Sequence, residues 1–501
     1  MSVTPSQNPT PFNGRLILGL VGVLLAALTS GVNDRVTEIA LIDLLGQFGL
    51  GHDEGSWITT VYAAAEVSAM LLAAWLAVTF SLRRFAIVAC IAFGVLGIIM
   101  PFAPNFELLL VIRALQGLAG GALVPILMTA ALRFLPWNVK LYGLSAYALT
   151  ATFGPNIATP LASLWTEGFD WKMVFWQIIP TCFLAAGLIA YGIPQDPLRL
   201  ERFKQADWRG ALLGVSGLSM LIVAVTQGER LDWFHSPMIC ALLVGAVVCL
   251  PLFLVNEWRH PLPLFKLQLL GRRNFSFGII TLCLFLFLSL AGGALPTLYL
   301  VEIQGYRPLQ VMPTTLIIAA LQLALAPLVA FALNRTWVDS RYIMGTGLIL
   351  MGLACFGGAH LTSEWIRDDF YILQVLHAFG QPMIVVPLLM NATGTVHPLE
   401  GPFASSMVNT MRGLFAVLGG SALENFITHR EHFHSNKLTD ALGSQWPNAE
   451  ALHALVERLS HQSFVLSFSD AYLALIAIIA VLLLILITLP QRAYPPQPPV
   501  H

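Results

Sequence analysis

Apolar residues fill this chain in long continuous runs that short polar segments separate. Five of the runs come close to or reach the length of about 20 residues that a helix needs to cross a bilayer. They cover residues 16–30, 85–101, 211–226, 240–255 and 471–489. Strict alternation, which would indicate a membrane β-barrel, is not the pattern of these runs. The sequence therefore predicts helices that span a membrane.

Division at charged and turn residues predicts about fourteen such spans, each near the length that a bilayer requires. The predicted centres are Leu25, Ala65, Phe93, Leu118, Ala151, Phe183, Ser216, Val247, Phe287, Leu321, Leu350, Leu376, Leu414 and Ile478. Because an even number of spans returns the chain to its starting side, both termini are expected on the same side of the membrane.

The basic residues of the short loops predict which side that is. Lysine and arginine concentrate on the side of the termini, as at Arg83 and Arg84, and the opposite short loops hold few of them. Such residues are retained in the cytoplasm during membrane insertion. We therefore expect both termini to be cytoplasmic.

Composition supports an all-α polytopic membrane protein. Hydrophobic residues make up 57% of the chain and charged residues 11%, whereas soluble proteins average about 45–50% and about 25%. The formal net charge of −1 gives no indication of nucleic-acid binding. The six cysteines lie in apolar runs without paired spacing, so neither a disulfide framework nor a zinc site is predicted.

Two polar segments suggest how the spans are grouped. The basic segment 195–210 follows the sixth span, and two more spans precede the next basic loop, 259–273. We predict an N-terminal six-helix bundle in residues 1–194, a two-helix insert with linkers in 195–262, and a C-terminal six-helix bundle in 263–501.

A long outer loop is predicted at residues 429–467. Leucine spacing within it favours a short amphipathic helix, which either lies on the membrane surface or docks another protein. The loop also contains His429, His432 and His434. No further ligands accompany these histidines, so no metal is expected.

Three acids in the first two spans are candidates for proton coupling. Asp34 and Glu38 are four residues apart and share a helix face. If that face is partly dehydrated, one of the two carboxyls is expected to hold a proton; alternatively, Arg35 neutralises them at a hydrated helix end. Glu66 lies in the middle of the second span without a nearby cation in sequence, so it should face the bundle interior or a wet cavity.

The fourth span contains an arginine within an apolar stretch, followed by a glycine-rich face. Arg113 requires a carboxylate or carbonyl groups from another helix, and Asp34, Glu38 and Glu66 are the available acids. Protonation of the partner would release the arginine; the alternative is a fixed tie between helices. Gln116, Gly117, Gly120 and Gly121 follow Arg113, and the glycines allow a neighbouring backbone to approach closely.

Further polar groups occur in the fifth span and in the second half. Gly154 and Pro155 predict a bend in the fifth span. Gln322, Gln374, His377 and Gln381 are either packed core or part of an amphipathic substrate cavity.

Together these segments resemble a known family. Residues 113–117 match an RxxQG motif, and Gly154 with Pro155 matches the centre of an antiporter motif of the form GxxxGPxxGG, although Thr150, Ala158 and Thr159 stand where its flanking glycines would be. The thirteenth span, with Asn409 and Arg412, is similar as well, and these two residues complete the candidate substrate cavity. The chain resembles the fourteen-span drug:proton antiporters of the EmrB/QacA type in the major facilitator superfamily.

The resemblance implies a fold and a function. The fold would be two six-helix bundles plus two extra transmembrane helices in a bacterial inner membrane. The function would be proton-coupled efflux of lipophilic drugs or toxic organic compounds, driven by the proton gradient without a cofactor. The resemblance also implies a periplasmic adaptor of the membrane-fusion type and an outer-membrane channel. One departure is the loop 74–84, which keeps Arg83 and Arg84 but lacks the family's aspartate.

Two other functional classes stay open on the sequence. The first is a proton symporter that imports an organic acid or other small solute, although no ExxER run occurs in the first span. The second is a non-transporting sensor with this fold. An enzyme is not expected, because the sequence has no P-loop, HExxH or GxSxG motif.

Overall fold

The computed structural model describes residues 12–136, 138–335, 337–397, 400–442 and 449–489. Within these ranges the fold is all-α, and fourteen long helices form its frame. They are α1 Gly14–Ile39, α2 His52–Phe80, α3 Leu82–Ile99, α4 Phe106–Phe134, α5 Lys140–Ser163, α6 Ile178–Gly192, α7 Trp208–Gln227, α8 Pro237–Arg259, α9 Arg273–Ser289, α10 Pro308–Leu333, α11 Ser340–Gly358, α12 Tyr371–Gly394, α13 Gly401–Leu442 and α14 Ala449–Ile487. Shorter helices lie between them, including Leu41–Phe48, Met173–Trp176 and Ala294–Glu302.

The prediction of a multi-pass all-α membrane protein is confirmed. Among the described residues, twelve helical segments are long and apolar enough to cross a membrane. The long helices outside that set are α5 and α13, which carry polar side chains such as Asn156 and Asn409 into the interior. All fourteen predicted span centres fall within the fourteen helices. We call the end of the bundle where α1 begins and α14 ends the termini side, and the opposite end the distal side.

Local sequence explains where several helices begin. Asn13 accepts a hydrogen bond from the backbone N–H of Leu16 (3.1 Å) and so caps α1. Asn105 caps α4 in the same way through Leu108 N–H (2.9 Å). Because the first N–H groups of a helix have no partner within the helix, an asparagine at this position satisfies one of them.

Small residues set the close contacts between helices. Gly19 of α1 lies directly against the backbone of Gly192 in α6, and a Cβ at Gly19 would meet the Gly192 carbonyl carbon at 2.7 Å. Helices associate in a membrane largely through such close packing, since lipid is as apolar as leucine. Other long helices also pack in pairs: α5 packs along α10, and α2 packs along α4 and α13.

The seventh helix packs on the N-terminal half through a row of polar contacts. Thr60 of α2 donates a hydrogen bond to Thr226 (3.1 Å) and accepts one from the Gln227 amide (2.7 Å). Near the distal end of α7, Trp233 Nε1 donates to Asn425 Oδ1 of α13 (3.2 Å). Helix α7 thus lies beside both α2 and α13. The division of the chain at residues 194 and 262 stays a prediction.

The segment 429–467 differs from the long loop that the sequence predicts. Helix α13 continues to Leu442 and α14 begins at Ala449, so the described part of the segment is helical extension of the last two spans. At this distal end the His434 ring lies 2.7 Å from Asp470, which also accepts a hydrogen bond from Arg430 Nε at 2.7 Å. The two extensions are thereby joined across the helix pair.

The contact between α1 and α6 makes a prediction about two glycines of the same helix. We expect Gly19→Ala to lower the stability of the fold by roughly 1–3 kcal/mol, because the added methyl group would overlap the backbone of Gly192. Outside the backbone of its own helix, a Cβ added at Gly31 would meet no heavy atom of the described residues within 4 Å, so Gly31→Ala is the matched control. Thermal unfolding of the purified variants, followed by tryptophan fluorescence, measures both. Equal melting temperatures would contradict the packing described.

Candidate functional site

A buried arginine lies at the centre of the N-terminal half. The Arg113 side chain on α4 has no solvent exposure. Its Nη1 donates a hydrogen bond to Gln116 Oε1 (2.7 Å), and its Nη2 lies 3.8 Å from Asp34 Oδ1 on α1. The guanidinium carbon sits 3.9 Å from the centre of the Tyr62 ring on α2. One cation therefore connects three helices.

The arginine is only partly satisfied by these contacts. Neither its Nε nor its Nη2 makes a hydrogen bond with any residue in the described part of the chain. Stacking on a desolvated aromatic ring contributes about 2 kcal/mol or more, but it does not replace hydrogen bonds to a carboxylate. The electrostatic balance of Arg113 therefore depends strongly on the charge of Asp34.

The two acids of α1 have different surroundings. The side chain of Asp34 is 24% exposed and points toward Arg113. Glu38 lies one turn farther along the helix, 47% exposed, and forms an ion pair with Arg35 at 2.7 Å. The structure therefore brings Asp34 to the arginine, as expected, but not Glu38. The alternative in which Arg35 neutralises an acid at a hydrated helix end describes Glu38 and not Asp34.

Glu66 is held in place by its backbone and not by its carboxylate. Within the described residues its side chain makes no hydrogen bond or ion pair, while the charges of Asp34, Arg412, Arg35 and Arg113 act on it. The carbonyl oxygen of Glu66 lies where a Cβ on Gly121 would be, and Tyr62 O lies 2.6 Å from the corresponding position on Gly117.

The glycine face of α4 thus sets the position of α2. Gly120 faces the Ser30 and Tyr62 hydroxyl oxygens, at 2.7 and 2.8 Å from the position of an added Cβ. A side chain on Gly117 or Gly121 would push α2 away from α4, and one on Gly120 would displace the side chains of Ser30 and Tyr62. The same segment that carries Arg113 and Gln116 therefore places Tyr62 and Glu66 next to them.

A second arginine connects the two halves of the protein. Arg412 of α13 donates to the Thr150 hydroxyl (2.8 Å) and to the Thr150 carbonyl oxygen (2.9 Å) on α5. Beside it, the buried Tyr147 hydroxyl donates to Asn409 Oδ1 at 2.7 Å. Helix α5, which contains Gly154 and Pro155, is thereby tied to the thirteenth span.

On the termini side of Arg412, buried hydrogen bonds also join the two halves. Ser405 Oγ donates to the Pro125 carbonyl on α4 (2.7 Å), and Ser406 Oγ donates to the Leu71 carbonyl on α2 (2.7 Å). All of these groups are buried. Toward the distal side, exposure rises from 0% at Arg113 to 24% at Asp34 and 47% at Glu38. In this conformation Asp34 and Glu38 are partly exposed, whereas Arg113 is not.

The fifth span is a continuous helix through its proline residues. Pro155 and Pro160 both lie inside α5. Among the described residues outside its own helix backbone, a Cβ at Gly154 would meet only Val32 Cγ2, at 3.9 Å, which is an ordinary contact distance. Close packing in this conformation therefore does not explain the glycine at position 154.

Neutral polar side chains cluster in the C-terminal half. Gln322 of α10 donates to Gln381 of α12 at 2.5 Å. Gln374 and His377 of α12 are buried, and none of their polar atoms has a hydrogen-bond partner among the described residues. Both His377 and Gln381 lie beside Gly292, in the break between α9 and the short helix Ala294–Glu302. Asn409 and Arg412 belong to the other site, at the junction with α5.

Three participants were not identified from the sequence. Tyr62, Tyr147 and Thr150 contact the two arginines, yet each is a common residue of membrane helices. A signal did exist for Tyr62, since it precedes Glu66 by four residues and therefore shares its helix face. For Tyr147 and Thr150, the contacts depend on how α5 meets α13, which no local pattern indicates.

Comparison with known proteins places this geometry in a family. The sequence model described as Major Facilitator Superfamily matches residues 23–420. Multidrug export protein EmrB of Escherichia coli (strain K12) is 25% identical over 458 residues, which cover 90% of this chain and 88% of that protein. Uncharacterized MFS-type transporter YhcA of Bacillus subtilis (strain 168) is 24% identical over 451 residues, covering 89% and 82% of the two chains.

Solved structures agree in fold. The proton:xylose symporter XylE superposes with a TM-score of 0.59 at 13% sequence identity, and the match covers 96% of each chain. At that identity, the likeness concerns the arrangement of helices alone. The resemblance that the sequence motifs indicate is confirmed by the family match and by these relatives.

The geometry predicts an energetic coupling between Asp34 and Arg113. We expect Asp34→Asn alone to destabilise the fold, because it leaves a buried guanidinium without its counter-charge. In the double variant with Arg113→Gln, part of that loss should be recovered, giving a coupling of roughly 0.5–3 kcal/mol. The measurement is a double-mutant cycle on unfolding of the purified protein.

The exposed pair Arg35 and Glu38 provides the control cycle. Arg35→Gln and Glu38→Gln should show a coupling of only about 0.2–1 kcal/mol, since solvent screens an exposed ion pair. If the two cycles gave the same coupling, Asp34 would not be the counter-charge of Arg113.

Proposed function

The chain belongs to the major facilitator superfamily, and from this membership we propose that it is an efflux transporter that exports lipophilic organic compounds in exchange for protons. The observation that carries the proposal is the underpaired Arg113, buried beside Asp34 at 3.8 Å. Export is supported by the name of the relative EmrB, a multidrug export protein of similar length.

The proton would act on Asp34 first. In the conformation described, this carboxylate is partly exposed toward the distal side and is the acid nearest to Arg113. Binding a proton removes its negative charge, and the guanidinium then loses its counter-charge in a region of low dielectric constant. Arg113 must find another partner, and Glu66 on the adjacent helix is the acid without a fixed contact.

A shift of Arg113 toward Glu66 would reach the other half of the protein. Glu66 interacts electrostatically with Arg412 as well as with Arg113. Arg412 is the cation that holds α13 to Thr150 on α5. Drawing Glu66 toward Arg113 weakens its attraction for Arg412 and so alters the tie between the halves. A ligand or proton shifts the equilibrium between two conformations only if it binds one of them more tightly than the other. This series of interacting charges would provide such a difference.

The substrate would lie between the charged groups Asp34, Glu66 and Arg113 and the cluster of neutral polar side chains in the C-terminal half, which we call the neutral cluster. Gln322, Gln374, His377 and Gln381 offer donors and acceptors without net charge. Such groups fix the orientation of a ligand, while apolar side chains around them tolerate many shapes. We therefore expect lipophilic compounds with one or two hydrogen-bonding groups.

The orientation follows from the basic loops. We propose that the termini side is cytoplasmic and that the membrane is a bacterial inner membrane. The distal side, where Asp34 and Glu38 are exposed, would then receive protons from outside. The distal extensions of α13 and α14 would be the surface available to a periplasmic adaptor of the membrane-fusion type, which would connect the transporter to an outer-membrane channel.

Proton coupling is tested at Glu66. We expect Glu66→Gln to abolish substrate movement driven by a pH gradient in proteoliposomes, because the acceptor for the released guanidinium is lost. Substrate exchange without a gradient should continue. Glu107→Gln is the matched control, since it removes one negative charge from an exposed position on α4. The readout is fluorescence of a lipophilic dye that the wild-type protein transports.

The same vesicles determine the direction of transport. Export predicts that an inward proton gradient drives the dye outward, whereas accumulation of solute along with the protons would identify a symporter. Coupling that survives intact in Glu66→Gln would refute the role assigned to this acid.

The neutral cluster makes a separate prediction. We expect Gln381→Met to raise the KM for the transported dye roughly fivefold, because one hydrogen bond contributes about 1 kcal/mol. The response to the pH gradient should be unchanged. Gln268→Met is the control, as Gln268 lies exposed in the short helix Leu267–Gly271. An unchanged KM in Gln381→Met would exclude this cluster from the substrate site.

A further inference from the structure

Two adjoining cavities lie on the termini side, where the linker 195–207 meets the ends of α2 and α8. The larger, of about 480 Å³, is lined by Lys204, Gln205, Ala206 and the segment 260–262. The smaller, of about 70 Å³, is apolar and is lined among others by Leu72, Trp75, Trp208 and Leu264. Ala206 lines both, so a polar and an apolar compartment share one boundary.

An aromatic wall places these cavities at the edge of the membrane. Phe203 packs against Trp75 with ring centres 5.2 Å apart and stacks on Trp208 at 5.9 Å. Trp208 is 58% exposed, and Trp258 near the same end of α8 is 62% exposed. Exposed tryptophans at helix ends are typical of the interface between lipid headgroups and hydrocarbon.

The linker beside the larger cavity carries uncompensated positive charge. Arg199, Arg202, Lys204 and Arg209 form no ion pair with any acid in the described ranges, and the acid between them, Glu201, is exposed. Asp207 is already engaged, because it accepts hydrogen bonds from Gly210 N–H (2.8 Å) and from the Asn256 amide. Burial and the nearby charge of Arg199 lower the pKa of the Arg202 guanidinium. Among the described residues, these cations therefore stay without an ion-pair partner.

We propose that the two cavities bind one anionic phospholipid from the leaflet on the termini side. Its phosphate lies beside Lys204 and His260 in the larger cavity, and the first part of one acyl chain enters the apolar cavity past Ala206. The rest of the chain lies along the exposed face of α7, where Leu212 is 71% exposed.

A phospholipid suits this site better than a free phosphate ion. Basic pockets between helices at the membrane surface bind anionic headgroups. A free ion would use only the larger cavity and would leave the apolar one without an occupant of matching chemistry. Both cavities include the linker, and the smaller one also includes α2 and α7. The bound lipid would therefore hold the linker and α7 against the end of α2.

The test is binding of a fluorescent phosphatidylglycerol to the purified protein in phosphatidylcholine nanodiscs. We expect Lys204→Gln to weaken binding about fivefold, since one basic residue beside the anionic headgroup contributes about 1 kcal/mol. The charge-matched control is Arg84→Gln at the start of α3, which lines neither cavity and should bind as the wild type does. Equal weakening in both variants would show general surface attraction and would overturn the proposal.

A second variant separates lipid from free phosphate and does not alter the charge. Ala206→Leu fills the boundary between the cavities, and we expect it to lower phosphatidylglycerol binding by tenfold or more. In competition, unlabelled phosphatidylglycerol should displace the probe, whereas glycerol phosphate and inorganic phosphate should not at similar concentrations. Displacement by inorganic phosphate alone, or unchanged binding in Ala206→Leu, would mean that no acyl chain is recognised. None of these readouts depends on transport.

Discussion

The structure of the N-terminal half depends on one constraint: a guanidinium that is kept away from water must keep a counter-charge. Among the described residues, Arg113 meets this condition with one carboxylate at ion-pair distance, Asp34, together with one side-chain hydrogen bond and the face of an aromatic ring. Removing one partner from a buried charge is far more costly than removing the pair. The glycines after Arg113 serve the same requirement, because they allow the backbone at Glu66, a second acid, to lie against the helix that carries the arginine. An electrostatic requirement and a steric one are thus combined on a single helix.

The contacts between the two halves are unevenly distributed along the bundle. Buried hydroxyl-to-carbonyl bonds from Ser405 and Ser406 close the halves on the termini side. On the distal side of them, Arg412 bonds to both the hydroxyl and the carbonyl oxygen of Thr150. The neutral bonds contribute about 1 kcal/mol each and those of the charged Arg412 about 1.5–3 kcal/mol, so a small set of them can be exchanged without unfolding any helix. Alternation between two conformations is compatible with ties of that size.

Much of the fold could be predicted from the sequence, because each span carries its own signal. A run of apolar residues is a local property, and every predicted centre falls inside a helix. That Arg113 pairs with one of the acids Asp34, Glu38 and Glu66 also follows from charge balance. What could not be predicted depends on the relative placement of helices: the choice of Asp34 over Glu38, the contact of Arg412 with Thr150, and the row of hydroxyls between α2 and α7. A short amphipathic helix was predicted in the segment 429–467, but the continuation of the thirteenth helix to Leu442 was not, because the polar composition of residues 429–442 resembles that of a loop.

The turn in loop 74–84 is tied to α4 by a carboxylate from another part of the chain. The aspartate expected there is absent, yet Arg133 at the end of α4 forms two hydrogen bonds with Asp196, at 2.6 and 2.7 Å. Ser81, between α2 and α3, adopts a φ of 75°, which is uncommon for a residue with a side chain. Its hydroxyl oxygen accepts hydrogen bonds from Gln195 Nε2 (3.1 Å) and from the backbone N–H of Asp196 (3.3 Å). The carboxylate that ties the α2–α3 turn to α4 therefore comes from the segment after α6.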